Sequence, residues 1–177
     1  MINPGVGGEE VKFDTRDIAL TAVFAALYAA LVLALAGISF QIVQVRIADA
    51  LIPSSIIFGW PAVFGVTIGT AVANVASPMP SVIADVALGS LANFIASTIA
   101  WRIGLWKNIK LLREFLGCLA ATACITFIVG TYLALLTEMD FWIWWLSIGA
   151  GSIISITVLG YVLVQILKRA MGRTSVT

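Results

Sequence analysis

The sequence has no histidine and only two cysteines, Cys118 and Cys124, and this narrows the chemistry it can perform. A thiolate–imidazole metal site and a Cys–His nucleophile both need residues that are missing. No Gly-Lys dipeptide occurs, so there is no P-loop through which the chain would bind ATP. These absences predict a protein that is not an enzyme and that holds no metal or other cofactor.

Charge is also scarce. Charged residues make up 11% of the chain and hydrophobic residues 61%, with a mean hydropathy of +1.07, whereas soluble domains carry about 25% charged residues. A transmembrane helix needs roughly 20 apolar residues to cross about 30 Å of hydrocarbon. The composition therefore predicts an all-α integral membrane protein. Its long uncharged runs are Ile18–Val45, Ala50–Ala84, Val86–Trp101, Phe115–Thr137 and Phe141–Leu167.

The runs predict a bundle of six transmembrane helices. The stretch between Ile47 and Ala76 would be about 45 Å long as a single helix, and Gly59-Trp60-Pro61 interrupts it, so we divide it into two short helices. We expect residues 17–168 to form the membrane domain, residues 1–16 a short cytoplasmic segment and residues 169–177 a cytoplasmic tail. The predicted helices are Asp17–Ala36, Ile47–Phe58, Pro61–Ala76, Ser81–Trp101, Glu114–Leu136 and Phe141–Leu167.

Basic residues predict the orientation, because the cytoplasmic connections of membrane proteins are enriched in Lys and Arg. With six helices, both termini and the even-numbered connections share one side. Nine basic residues fall on that side, and only Arg46 falls on the other. We therefore expect both termini to be cytoplasmic. The nine are Lys12, Arg16, Arg102, Lys107, Lys110, Arg113, Lys168, Arg169 and Arg173.

Several polar residues fall where the topology predicts membrane. Ionisable groups at membrane depth cost at least about 2.5–3.5 kcal/mol and are candidates for a functional site. In the six-helix topology these residues converge on one cavity in the outer half of the bilayer. The alternative is that Arg46 and Asp49 merely pair at the interface and that a helix dipole stabilises Asp85. The candidate substrate-binding residues are Gln44, Arg46, Asp49, Asn74, Asp85 and Asn93, with Gln41 nearby.

Small residues at four-residue spacing predict helix faces that pack closely. Packing within the bundle is sufficient for Gly65 and Gly69, and for Ser147, Gly151 and Ser155. The first helix carries a similar series, Ala22, Ala26 and Ala30. Those alanines either pack inside the bundle or dock on another subunit, and the pattern alone leaves both open.

Two segments are similar to a known family. Residues 45–51, VRIADAL, resemble the start of helix two in substrate-binding (S) components of energy-coupling-factor vitamin transporters. Residues 68–78, IGTAVANVASP, followed by residues 85–93, DVALGSLAN, resemble a stretch of the QueT-type family of queuosine-precursor transporters. That family often has Glu where Asp49 stands, which preserves the acidic group but changes its reach.

The resemblance implies a subunit of the plasma membrane that binds substrate from outside and relies on partners for energy. It implies docking of Ala22, Ala26 and Ala30 on a transmembrane coupling subunit, which two ATPase subunits complete, and a 7-deazaguanine ligand. Asp85 would accept from a guanine-like edge, Asp49 or Arg46 would meet the carbonyl or the substituent, and Asn74 and Asn93 would complete the contacts. The alternatives are a stand-alone ion-coupled carrier of a small polar metabolite, with Asp85 as the coupling carboxylate, and an assembly protein.

Overall fold

The computed structural model describes residues 14–40, 44–106 and 112–172, and every regular element in these ranges is helical, as predicted. Predictions that concern Gln41, Lys107, Lys110 and the two ends of the chain lie outside the described residues. In chain order the elements are α1 (Thr15–Ala34), α2 (Ala36–Ser39), a 3-10 helix (Ile47–Ser54), α3 (Ser55–Phe58), α4 (Trp60–Asn74), α5 (Val82–Gly104), α6 (Arg113–Thr137), α7 (Phe141–Ser152), a π-helical stretch (Ile153–Gly160) and α8 (Tyr161–Ala170).

Four helical stretches are long and apolar enough to cross a membrane: Thr15–Ala34, Val82–Gly104, Arg113–Thr137 and Phe141–Ala170, the last comprising α7, the π-helical stretch and α8. Large apolar side chains cover their outer surfaces; Leu146, for example, is 74% exposed. Such a surface requires lipid rather than water as its solvent. The chain is a multi-pass membrane protein, while the count of six crossings and the cytoplasmic termini stay predictions.

The predicted break between the two short helices is confirmed. Gly59 has φ +63° and ψ −136°, a conformation that glycine adopts without strain, and Pro61 lies in the first turn of α4. The 3-10 helix with α3, and α4 by itself, are each about 22 Å long. Both are shorter than the roughly 30 Å of a bilayer core, so neither is long enough to cross it alone.

Several helix boundaries differ from the sequence-based expectation by one to three residues, the start of α1 and the end of α5 among them. α1 begins at Thr15 rather than Asp17 because Asp14 caps it: the Asp14 carboxylate accepts from the Thr15 N–H at 2.7 Å, and the Asp14 N–H donates to Asp17 Oδ2 at 3.3 Å. This reciprocal capping box fixes the start of the helix. α5 continues to Gly104, three residues beyond the predicted end at Trp101.

Glycines determine how the segment Gln44–Ser54 is placed. A Cβ at Gly151 would lie 1.9 Å from the Gln44 carbonyl oxygen, and a Cβ at Gly160 would lie 2.8 Å from Pro53 Cγ. The segment therefore runs directly across α7 and the π-helical stretch, where only glycine permits so close an approach. The Gln44 N–H also donates to Ser147 Oγ at 3.1 Å. This contact holds the Gln44–Asp49 stretch against the bundle.

Candidate ligand-binding site

The bundle contains a small cavity, partly open and lined by polar and apolar residues, between the Gln44–Asp49 stretch and helices α5, α6 and α7. Its volume is about 20 Å³, which is room for about one water molecule. Its lining combines polar side chains with the apolar side chains of Ile125, Val129 and Ile148, a mixture typical of a small-molecule site. The lining residues are Gln44, Arg46, Asp49, Gly89, Asn93, Ile125, Val129, Ile148, Gly151 and Ser152.

Asp49 belongs to a buried hydrogen-bond network that joins four elements: the 3-10 helix, α1, α4 and α5. The Tyr28 hydroxyl, from α1, donates to Asp49 Oδ1 at 2.5 Å and accepts from Asn93 Nδ2 at 2.8 Å. Asn93 Nδ2 also donates to the hydroxyl of Thr70 on α4. Asp49 is 6% exposed and Asn93 3%. The network holds both residues against the cavity and partly satisfies their polar groups, as burial requires.

Asp85 forms a second network one helical turn from the cavity. Its Oδ1 accepts from the Tyr132 hydroxyl of α6 at 2.6 Å, and its backbone oxygen accepts from Asn74 Nδ2 at 3.0 Å. Gly89, which does line the cavity, makes room for this network, because a Cβ there would lie 2.5 Å from Asn74 Nδ2. Asp85 and Asn74 therefore stand behind Gly89 rather than in the cavity wall.

Arg46 lies near both networks without forming an ion pair in either. Within the part of the chain that the structure describes, no Arg46–Asp49 contact of 4.0 Å or less occurs, so the simple interface pair considered above is absent. The Arg46 guanidinium carbon instead lies 5.3 Å from the ring centroid of Phe40. Its charge remains within electrostatic range of Asp49 and Asp85.

Four buried polar atoms around the cavity have no hydrogen-bond partner among the described residues. They are Gln44 Oε1, Arg46 Nε, Asn74 Oδ1 and Asp85 Oδ2. Buried polar atoms are nearly always paired, so a cluster of unpaired ones needs an explanation. Three acceptors and one donor in one neighbourhood, without described protein partners, are suited to a ligand that carries both donors and acceptors.

The six candidate residues thus form one neighbourhood with two layers. Gln44, Arg46, Asp49 and Asn93 line the cavity, while Asn74 and Asp85 form the layer behind it. Sequence reasoning missed Tyr28, Thr70 and Tyr132, whose hydroxyls complete both networks. A signal was present for the tyrosines, because a tyrosine inside an apolar run usually needs a hydrogen-bond partner when it is buried.

The predicted docking residues lie on the outer surface of the protein. Ala22, Ala26 and Ala30 are all exposed, so they lie outside the packed core of the described bundle. The inner side of α1 packs instead on α4, where a Cβ at Gly69 would lie 2.7 Å from the Ala25 carbonyl oxygen. Among the described residues no cluster of carboxylate or thiol side chains has the spacing of a metal site.

Comparison with known families gives a match over most of the chain. A sequence model of the QueT transporter family matches residues 18–169, which include every described helix but the first turn of α1 and the last residue of α8. The chain belongs to the QueT transporter family. No curated protein and no solved structure matches it. Membership of the QueT family makes the cavity a candidate site for a transported small molecule.

Proposed function

We propose that this QueT-family protein is the substrate-binding S component of an ATP-driven energy-coupling-factor importer in the plasma membrane. It is not an enzyme, and its ligand is a 7-deazaguanine precursor of queuosine. The observation that carries the proposal is the buried cavity lined by Gln44, Arg46, Asp49 and Asn93 in a chain of this transporter family. Buried polar groups in membrane proteins are expensive and mark substrate sites.

The side chains of the cavity match the edge of such a base. A 7-deazaguanine presents an N1–H and an exocyclic amino group beside a carbonyl oxygen. The Asp49 carboxylate accepts from the two donors, Arg46 donates to the carbonyl, and Asn93 and Gln44 complete the contacts. Asp85 lies behind Gly89. Its unpaired Oδ2 therefore accepts a hydrogen bond from the ligand only after the cavity has widened.

The cavity must open before it can hold a bicyclic base, since about 20 Å³ admits only a water-sized molecule. The Gln44–Arg46 stretch is the wall best suited to move, because it is not helical, whereas the other lining residues belong to helical elements. Opening on this side would also expose Arg46, which is already half-buried rather than fully enclosed.

The exposed alanines of α1 supply the partner surface. Ala22, Ala26 and Ala30 form a flat strip on which another helix can approach closely, and the chain contains no ATP-binding motif of its own. We therefore assign this strip to a transmembrane coupling subunit, which carries two ATPase subunits. Transport then depends on the assembly, whereas ligand binding does not.

Calorimetry on the purified chain tests the binding role. We expect 7-aminomethyl-7-deazaguanine to bind, and Asp49→Asn to weaken binding by about tenfold to a hundredfold, because hydrogen bonds to charged groups contribute about 1.5–3 kcal/mol. Glu138→Gln, at the exposed C-cap of α6, is the control and should bind as the wild type does. Equal affinities of Asp49→Asn and wild type would make this carboxylate structural.

One observation favours a second candidate, a stand-alone ion-coupled carrier. Asp85 is 2% exposed and its Oδ2 lacks a partner, as a proton- or sodium-coupling carboxylate would. Liposomes that contain only this chain distinguish the candidates. If they accumulate the labelled base when given an ion gradient, the carrier is correct. If they bind it and transport only after the coupling and ATPase subunits are added, the S component is correct.

A further inference from the structure

Tyr28 is the one side chain of α1 with a described hydrogen bond to a residue that lines the cavity. It is fully buried, and its hydroxyl bonds to both Asp49 and Asn93. Both partners lie in the cavity wall. A hydroxyl that donates to a carboxylate and accepts from an amide fixes the orientation of both groups. Tyr28 is therefore a positioning residue for the site.

The same helix carries the alanine strip on its other side. At about 100° per residue, Ala26 and Ala30 are each two positions from Tyr28 and point in nearly the opposite direction. The alanines are exposed and Tyr28 is 0% exposed. Any helix that packs on the strip consequently contacts the same helix that carries the Tyr28 hydroxyl.

α1 does not move alone, because its inner side is locked to α4. A Cβ at Gly69 would lie 2.7 Å from Tyr28 Cβ, and a Cβ at Gly65 would lie 2.4 Å from Phe24 Cβ. The second contact of Asn93 Nδ2 is the Thr70 hydroxyl, which belongs to α4. α1 and α4 thus supply the two hydroxyls that Asn93 Nδ2 contacts, those of Tyr28 and Thr70. The Tyr28 hydroxyl is also the one that donates to Asp49.

We propose that Tyr28 couples the outer alanine strip of α1 to the ligand cavity, so that docking of a partner on the strip weakens ligand binding through the loss of the Tyr28 contacts to Asp49 and Asn93. This inference rests on the proposed function and adds to it a route between its two sites. A displaced α1–α4 pair withdraws the hydroxyl, and Asp49 then loses the bond that holds it towards the ligand. Because coupling between two sites is reciprocal, bound ligand also disfavours docking.

The chain offers a matched control. Tyr132 also donates from a buried hydroxyl to a carboxylate, Asp85, at 2.6 Å, but it belongs to α6 and its own hydroxyl has no described bond to α1 or α4. Its network does reach α4 through the bond from Asn74 to the Asp85 backbone oxygen, and Tyr132→Phe leaves that bond in place. Tyr28→Phe and Tyr132→Phe remove the same atom from equivalent hydrogen bonds. Both are expected to weaken ligand binding by about tenfold or more, and only Tyr28→Phe is expected to abolish the influence of the partner.

The experiment measures the dissociation constant of 7-aminomethyl-7-deazaguanine for the full chain alone and for the chain assembled with its coupling and ATPase subunits in nanodiscs without nucleotide. We expect assembly to raise the wild-type constant by a factor within the usual range of about 5 to 150. That factor should fall to near one in Tyr28→Phe and stay at the wild-type value in Tyr132→Phe. Thr70→Val, which removes the α4 hydroxyl and keeps the shape of the side chain, should reduce it too.

Each outcome has a definite meaning. The inference is overturned if assembly raises the dissociation constant of Tyr28→Phe as much as that of the wild type, or if the effect of assembly is lost equally in Tyr132→Phe. It is also overturned if assembly leaves the wild-type constant unchanged. All three outcomes leave the proposed function intact. If Tyr28→Phe does not fold, the factor in Thr70→Val decides in its place. A wild-type chain that binds no base, or that does not assemble, refutes the proposed function itself.

Discussion

Gly151→Ala is the substitution whose effect can be worked out most directly from the structure. A Cβ at this position would lie 1.9 Å from the Gln44 carbonyl oxygen and 3.3 Å from Val45 Cα. Real Cβ contacts do not fall below 3.0 Å, so the Gln44 backbone must retreat by about 1 Å or more. The obstacle is backbone rather than a flexible side chain, so the crossing cannot relax locally.

Two consequences of different size follow. The forced shift should lower the free energy of unfolding by about 1–3 kcal/mol, the usual cost of overpacking. It should also displace Gln44 and Arg46 from the cavity, which we expect to weaken ligand binding by at least tenfold. A site that is about 1 Å too loose is commonly enough to lose function.

Gly149→Ala is the control on the same helix, two residues away. Its Cβ would lie 3.3 Å from Thr126 Cγ2, a side-chain methyl that can move slightly, and alanine favours the helix by about 0.5–1 kcal/mol over glycine. Thermal unfolding in detergent and calorimetry with 7-aminomethyl-7-deazaguanine would compare the two variants. Wild-type stability and affinity in Gly151→Ala would refute the close approach of the Gln44 segment to α7.

Three further predictions concern the rest of the protein. In a background with Cys118 and Cys124 replaced by alanine, a cysteine at position 138 should be labelled from outside intact cells and one at position 107 should be spared; the reverse would overturn the proposed orientation. Ala26→Leu should abolish uptake by cells while ligand binding by the purified chain remains close to the wild type, because the added bulk keeps a partner helix away; unchanged uptake would exclude docking on this strip. Glu114→Gln should lower the free energy of unfolding by about 1.5–3 kcal/mol, because Glu114 is 3% exposed and accepts from Lys168 Nζ at 2.7 Å. The exposed control is Glu138→Gln. Equal melting temperatures of the two variants would show that the Glu114–Lys168 ion pair does not stabilise the bundle.

The helices were predictable because the bilayer leaves few alternatives. Uncharged runs of sufficient length have to be helical when lipid satisfies no backbone hydrogen bond, and Gly59 with Pro61 marks the break between the short helices. The π-helical stretch Ile153–Gly160 and the 3-10 helix Ile47–Ser54 were not predicted. Neither follows from local propensity; they lie against each other through Gly160 and Pro53, a tertiary contact.

The neighbourhood of the site was predictable, but its layering was not. Ionisable and amide residues in apolar runs identified Arg46, Asp49 and Asn93 without any knowledge of their contacts. Whether Asp85 lines the cavity depends on the rotation of α5, and a shift of a few tens of degrees separates a lining residue from one behind it. The network hydroxyls were missed for a related reason, since only packing decides which tyrosine meets which carboxylate.

The tyrosines also explain how a site with two carboxylates can exist in a membrane protein. A buried carboxylate without partners would be strongly unfavourable, and here each one accepts from a tyrosine hydroxyl, Asp49 from Tyr28 and Asp85 from Tyr132. Each tyrosine occupies one carboxylate oxygen, and Asp85 Oδ2 is left without a partner among the described residues. A ligand that donates to the remaining oxygens therefore adds hydrogen bonds without first breaking these two, so its binding energy can instead be used to widen the cavity.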